Sequence, residues 1–126
     1  MKYAILCYNE EDVVWSMSKA EDDAMMARLT VVQRRLIKEG KLGPSIRLLP
    51  TTAATTLRGG KDAPLVIDGP FAETKEQLLG FFIVDVATLE EALDIARDLA
   101  DAKTGSTYEV RPIALWFPDE RETSSG

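Results

Sequence analysis

Hydrophobic positions along the chain form two dense apolar runs and two stripes of helical spacing. The runs from Lys2 to Tyr8 and from Leu79 to Val86 are apolar at almost every position, which is typical of strands covered on both faces. A broad apolar stripe from Leu89 to Ala100 predicts an amphipathic helix. The other stripe predicts a longer amphipathic helix. Its residues are three or four positions apart: Met25, Leu29, Val32 and Leu36.

Polar residues mark where these helices begin and end. The segments 18–21 (Ser-Lys-Ala-Glu) and 88–91 (Thr-Leu-Glu-Glu) are capping boxes, which satisfy backbone N–H groups at a helix start. Gly40 is a natural residue to follow the first helix. A third capping box at 74–77 (Thr-Lys-Glu-Gln) predicts one helical turn from Lys75 to Leu78.

The remaining segments carry weaker patterns. Asn9 to Met17 is predicted as an acidic loop, and Leu42 to Pro50 as turn-rich chain because it contains Gly43-Pro44 and Pro50. Threonine-rich Thr51 to Arg58 and apolar Pro64 to Asp68 are predicted as the two arms of a β-hairpin that turns at Gly59 to Asp62. Thr107 to Trp116 is predicted as the last strand.

The order strand, helix, hairpin, strand, helix, strand contains two β-α-β units. It predicts an α+β fold, ferredoxin-like βαββαβ with an inserted hairpin, in a single domain of residues 1–117. Right-handed crossovers place both helices on one face of the sheet. Strands that are apolar on both faces then need a second cover, so we predict a two-fold homodimer stacked sheet on sheet. Residues 118–126 are polar and are predicted as a flexible tail.

Composition narrows the class of protein. The chain has 126 residues, 45% of them hydrophobic, and a net charge of −6. No apolar run reaches the length of a membrane span and no signal-peptide pattern is present, so a cytoplasmic location is predicted. Nucleic acid is a disfavoured partner because binding it needs a basic surface patch. The nearest such cluster lies at the end of a predicted helix, where cations complement the helix dipole. It consists of Arg34, Arg35, Lys38 and Lys41.

Histidine is absent and Cys7 is the only cysteine. Serine–histidine and cysteine–histidine nucleophile pairs are therefore excluded, as is any internal disulfide. Zinc and non-haem iron sites lose their usual ligands. We predict neither a metal nor another cofactor.

Four ionisable residues and a sharp turn lie between two apolar runs in the nine-residue segment Asp68–Glu76, which reads DGPFAETKE. Asp68 ends a predicted strand, and Pro70 fixes a sharp turn behind it. Turn formation alone does not need Phe71, Glu73, Lys75 and Glu76 together, so the segment is a candidate functional site as well as a turn.

This exact run resembles the DGPFAETKE family within the YCII-related group, and similar segments extend over nearly the whole chain. The resemblance implies a dimeric α+β barrel built from ferredoxin-like subunits. Related YCII-type proteins are thought to use a His-Asp pair in a cleft, of which only Asp68 could have a counterpart here. Bacterial members are often encoded beside extracytoplasmic-function sigma factors, which suggests a regulatory link.

Three functional hypotheses follow. In the first, a small anionic metabolite binds in a cleft beside the motif, and Asp68 is the acid or base. Arg58 and Arg111 orient that anion, and the other contacts come from Phe71, Glu73, Lys75 and Glu76. In the second, the motif or the acidic segment 9–12 docks a protein such as a sigma factor. In the third, the motif is structural, and Phe71 anchors the partner subunit of the homodimer. The sequence does not name a reaction.

Overall fold

The computed structural model of the protein describes residues 1–60 and 65–117. Its elements are β1 (Lys2–Asn9), α1 (Glu11–Trp15), α2 (Lys19–Lys38), β2 (Leu42–Arg47), a 3-10 turn (Thr51–Ala53), β3 (Thr55–Arg58), β4 (Leu65–Asp68), β5 (Gln77–Asp85), α3 (Leu89–Ala102) and β6 (Thr107–Pro112).

Four strands form one antiparallel sheet in the order β2-β5-β1-β6, and β3 pairs with β4 in a separate hairpin. Strands β1 and β2, like β5 and β6, are each joined through a helix and lie one strand apart. This is the ferredoxin-like order, and the predicted α+β fold with an inserted hairpin is confirmed. The four-stranded sheet is open within one chain.

One face of the sheet carries the core. Alternate residues of the central strands, such as Ile5 and Val84, point toward α2 and α3 and are fully buried with Leu36 and Leu99. The predicted caps explain the helix starts: the Ser18 hydroxyl accepts a hydrogen bond from Glu21 N, and the Thr88 hydroxyl accepts one from Glu91 N. Burial of these two helical stripes supplies most of the folding energy.

The opposite face, which we call the open face, is apolar in its middle. Register places Leu6 opposite Phe81 on one side and Glu109 on the other, and Ala4 opposite Arg111. Leu6, Ala4 and Phe81 are half-buried, whereas Arg111 is exposed. The helices α2 and α3 pack on the core face of the sheet, so they do not cover the open face.

Two segments that were predicted to lack regular secondary structure contain a helix and a strand. The acidic segment 9–17 contains α1, and the turn-rich segment 42–50 contains β2. Pro44 is accommodated because the pairing of β2 with β5 shifts register between Leu42 and Ser45. At an edge strand such an irregularity costs little, since proline there loses no necessary ladder hydrogen bond.

Other predicted boundaries were wrong. Residues 51–53 form a 3-10 turn, so the first hairpin arm begins only at Thr55. The predicted turn of helix at Lys75–Leu78 does not form, because the Thr74 hydroxyl donates to Glu76 O and Gln77 already begins β5. The last strand ends at Pro112 instead of Trp116. Part of the hairpin turn and the tail at 118–126 lie outside the described residues.

Candidate functional site

A cavity of about 280 Å³ opens between α2 and one end of the sheet. We call it the α2 cleft. Its apolar wall includes Met25 and Leu29 from α2 and Phe82 from β5. Polar side chains also line it, among them Cys7 on β1, Arg47 on β2, Lys103 after α3 and Tyr108 on β6. Gln33 of α2 and Ser45 of β2 line it as well and are joined by a hydrogen bond of 3.4 Å.

Local backbone geometry makes room for this cleft. The pairing of β1 with β5 shifts register between Cys7 and Tyr8, where Gly80 faces Cys7. Gly80 also allows the Ile46 carbonyl of β2 to approach so closely that a Cβ atom would clash with it. The glycine thus lets β2 close against β5 at the end of the sheet where the cavity lies.

Arg47 is held in a fixed orientation at the cleft. Its Nη2 lies 3.2 Å from Asp22 Oδ1, and its Nη1 donates to Met26 Sδ at 3.8 Å. The guanidinium also stacks on Trp15, at 4.9 Å from the ring centroid. Contacts with a carboxylate and an aromatic face restrain the side chain, and the carboxylate offsets part of its charge.

Lys103 is a second cation in the cleft and is held differently. It follows α3, where its backbone N–H donates to Leu99 O at 2.9 Å, and its Nζ lies 3.9 Å from Cys7 Sγ. Within residues 1–60 and 65–117, no carboxylate lies within ion-pair distance of Nζ. The charge of Lys103 is therefore available to a bound anion.

Tyr108 adds a neutral hydrogen-bonding group beside Cys7, its neighbour across the β1–β6 pair. Its hydroxyl donates to Leu99 O at 3.4 Å. Burial, followed by the nearby Cys7 side chain, raises the pKa of Tyr108 above its ordinary value of 10.0. The phenol therefore keeps its proton further into the alkaline range than a free tyrosine does. Cys7 itself is only 4% exposed and lies in the cleft wall.

A second hollow, of about 410 Å³, lies beside the nine-residue motif. Its walls include Glu10, Glu11 and Asp12 together with Thr74, Lys75 and Gln77. Lys75 Nζ is already 3.5 Å from Glu10 Oε1. Three carboxylates and one paired lysine make this hollow a poor place for an anion.

The residues that the sequence nominated occupy three separate places. Arg58 and Asp68 are exposed on the hairpin, and Arg111 is exposed on the open face. The other four lie in or just after the turn that follows β4, where Phe71 is 78% exposed and Lys75 pairs with Glu10: Phe71, Glu73, Lys75 and Glu76. In the described part of the chain no hydrogen bond or ion pair joins Asp68 to Arg111, and none of the seven residues lines the α2 cleft.

Sequence reasoning missed the polar residues of the α2 cleft. Arg47 was hidden because its strand was interpreted as turn-rich chain, and Lys103 because it resembles an ordinary helix end. The available signal was a cation at each of two element ends, Arg47 at the end of β2 and Lys103 directly after α3.

No helix in residues 1–60 and 65–117 is long and apolar enough to cross a membrane. No cluster of three or more potential ligand side chains there could hold a metal ion.

Comparison with known proteins assigns the chain to a family. A family model for the YCII-related domain matches residues 1–117, and the chain belongs to the YCII-related family. It is also similar to an uncharacterised protein of Rhizobium meliloti (strain 1021), with 59% identity over 122 residues that cover 95% of this chain and 98% of that protein.

Proposed function

We propose that this chain binds a small organic anion with an apolar body in the α2 cleft. The observation that carries the proposal is Lys103, a cation without a carboxylate partner among the described residues, beside an apolar cavity of about 280 Å³. Such pockets bind the apolar body of a ligand by burial and select its charged group with a few polar side chains.

Charge favours the α2 cleft over the hollow beside the motif as the anion site. The α2 cleft contains two cations, and a single carboxylate, Asp22, is paired with one of them. The hollow beside the motif contains three acidic residues. An anion entering that hollow would meet net repulsion, whereas in the α2 cleft Lys103 and the N–H groups of Arg47 would attract it.

Benzoate and benzamide form a matched pair of probes, because they are nearly equal in size and differ in charge. We expect benzoate to bind with a Kd on the order of 1 mM, as suits so small a ligand, and benzamide to bind more weakly. Lys103→Gln should weaken benzoate binding about tenfold, because a charged hydrogen bond is lost. Isothermal titration calorimetry measures both effects.

The control variant is Lys38→Gln, which removes an exposed cation from the last turn of α2. It should leave benzoate binding unchanged. Equal affinity for benzoate and benzamide, or an equal loss in both variants, would contradict the proposal.

We make three separate proposals as well. The chain is a member of the DGPFAETKE group, and its location is cytoplasmic. The motif Asp68–Glu76 forms a second binding or catalytic site. In that site Asp68 is the acid or base, with Arg58 and the motif side chains as its neighbours; the structure separates Arg111 from it, on the open face. Asp68→Asn tests the assignment: unchanged turnover or binding of any substrate found later would remove Asp68 from the mechanism. The alternative to a small-molecule site is that the acidic segment 9–12 docks a sigma factor. A variant in which the carboxylates of this segment are neutralised should then no longer bind the sigma factor.

We also propose that the chain forms a homodimer through the open face. The supporting observation is that Leu6, Phe81 and Ala4 form an apolar centre on the face opposite the core helices. A second copy stacked on this face would bury the apolar centre in both subunits.

A further inference from the structure

A row of four residues crosses the sheet along the α2 cleft, one from each strand. Register pairs Arg47 of β2 with Gly80 of β5. Gly80 in turn pairs with Cys7 of β1, and Cys7 pairs with Tyr108 of β6. All four residues line the cleft. The order of the strands therefore sets how far apart the polar groups of the cleft lie.

The two cations of the cleft belong to different parts of this row. Arg47 lies two strands away from Cys7, which separates their backbones by about 10 Å, because neighbouring strands are about 4.8 Å apart. Lys103 belongs to the Cys7 end, since its Nζ lies 3.9 Å from Cys7 Sγ. Gly80, the residue between them, has no side chain to fill the gap. An elongated ligand that lies along the row can therefore contact one cation with each end.

The two ends differ in charge. Lys103 Nζ has no carboxylate within ion-pair distance in the described part of the chain. Arg47 is paired with Asp22 at 3.2 Å, and the pair has no net charge. A guanidinium nevertheless has more N–H groups than the contacts with Asp22 and Met26 occupy. The Arg47 end thus offers hydrogen-bond donors with little net charge, which suits a neutral acceptor better than a second carboxylate.

Ser45 adds a second neutral donor at the Arg47 end. It lies two residues before Arg47 on β2 and therefore shares its face of the strand. The Ser45 hydroxyl oxygen accepts a hydrogen bond from Gln33 Nε2 at 3.4 Å, and both residues line the cleft. Because this contact uses the oxygen as an acceptor, the hydroxyl proton can be donated to a ligand.

The apolar wall between the two ends suits an aromatic ring. Met25 and Met26 of α2 lie there together with Phe82 of β5. Methionine is flexible, and its sulfur makes favourable contacts with aromatic rings. The volume of about 280 Å³ is at the lower end of the ~300–1,000 Å³ that is usual for small-molecule pockets. A single ring with a polar group at each end is a ligand of suitable size and shape.

We propose that the α2 cleft prefers an aromatic carboxylate that carries a neutral hydrogen-bond acceptor at the opposite end of its ring. Lys103 binds the carboxylate, and Arg47 and Ser45 donate to the acceptor. The inference rests on the proposed function, because it assigns a class of ligand to the same cleft. Lys103 determines that an anion binds, and Arg47 determines which aromatic acids bind best.

The first test compares para-acetylbenzoate with para-isopropylbenzoate. The two acids are nearly equal in size and shape and have the same carboxylate, but only the first has a carbonyl oxygen at the far end. We expect para-acetylbenzoate to bind about tenfold more tightly, because only its oxygen accepts hydrogen bonds from the Arg47 end. In meta-acetylbenzoate the oxygen is moved to the side of the ring, and most of this gain should be lost. Isothermal titration calorimetry measures all three affinities.

The second test removes the donors of Arg47. Arg47→Met keeps an apolar side chain of similar reach, and the ratio of the two Kd values should fall close to one. The ratio is the quantity to compare, since Asp22 loses its partner in this variant and weakens the binding of both acids alike. The control is Arg34→Met, which replaces an exposed arginine of α2 outside the cleft and should leave the ratio unchanged.

Terephthalate tests the charge of the far group. Its second carboxylate would approach Asp22, so it should bind more weakly than para-acetylbenzoate. Three results would each overturn the inference and leave the anion site standing, as long as benzoate binds: equal affinities for the acetyl and isopropyl acids, a ratio that persists in Arg47→Met, or tighter binding of terephthalate. If benzoate does not bind either, the proposed function and this inference are both overturned.

Discussion

Lys103 and Arg47 differ in how much of their charge the protein has already used. Arg47 is stacked on Trp15 and paired with Asp22, so it is restrained and partly neutralised. Within residues 1–60 and 65–117, the one hydrogen-bond partner of Lys103 Nζ is the Cys7 sulfur, at 3.9 Å. A bound anion should therefore depend mainly on Lys103 for attraction and on Arg47 for orientation.

Tyr108 gives the protein a pH dependence on the alkaline side. Its raised pKa means that the folded state keeps a proton that the unfolded tyrosine loses near its ordinary value of 10.0. Between these two pKa values the unfolded state binds fewer protons, so stability falls as pH rises. The contribution is fully present below pH 10.0 and is lost above it.

We expect the free energy of unfolding to decrease above this point by up to about 1.4 kcal/mol per pH unit for this one group. Tyr108→Phe should remove that part of the slope. Urea unfolding at a series of alkaline pH values measures it, and tyrosinate absorbance of the folded protein should lose a late-ionising phenol in Tyr108→Phe. An identical slope in Tyr108→Phe would contradict the assignment.

At the level of single residues, the sequence could identify a candidate site only where several ionisable residues are close together in the chain. The motif Asp68–Glu76 stands out because four ionisable side chains occur in nine residues. Arg47 on β2 is distant in sequence from Lys103 and Tyr108, which lie at the end of α3 and on β6, and they meet only through the fold. Pairing register of this kind depends on turns and bulges that a single sequence does not reveal.

Among the elements, β5 depends most on one small residue. Gly80 lies between Cys7 on β1 and Arg47 on β2, with the Ile46 carbonyl against its Cα. Gly80→Ala would force β2 away from β5 and should reduce the free energy of unfolding by about 1–3 kcal/mol, the usual cost of overpacking.

The matched control is Gly60→Ala, because a Cβ atom there meets nothing within 4 Å. It should change stability little. Urea denaturation compares the two variants, and equal stabilities would show that β2 adjusts freely at this point.

Helices were more predictable than strands for a physical reason. A capping box and a stripe of helical period are local signals, and α2 and α3 follow them closely at Ser18 and Thr88. Strand β2 contains glycine and proline and is held by its partner β5, so its own sequence argues against it. Tertiary pairing overrode local propensity there.

At the scale of the whole molecule, a sheet with both helices on one face was predictable from the sequence. What packs on the open face of that sheet was not. Apolar residues on both faces of β1 and β5 are the reason that we propose a second copy on the open face. They do not define how that copy would be placed, because a contact between two chains depends on surfaces that form only in the fold.

The proposed homodimer predicts that stability depends on protein concentration. Mass action favours the associated folded state, so the midpoint of thermal unfolding should rise by several degrees over a hundredfold increase in concentration. Differential scanning calorimetry measures this shift. A midpoint independent of concentration, together with a monomeric mass, would contradict the homodimer.

The most direct test of the central claim, anion binding in the α2 cleft, is methyl NMR on methionine-labelled protein. The chain has four methionines, and two of them, Met25 and Met26, line the cleft. Titration with benzoate should shift these two methyl signals to saturation and leave Met1 unmoved, with the shifts strongly reduced in Lys103→Gln. Unmoved Met25 and Met26 signals, or equal shifts in Lys103→Gln, would contradict the account.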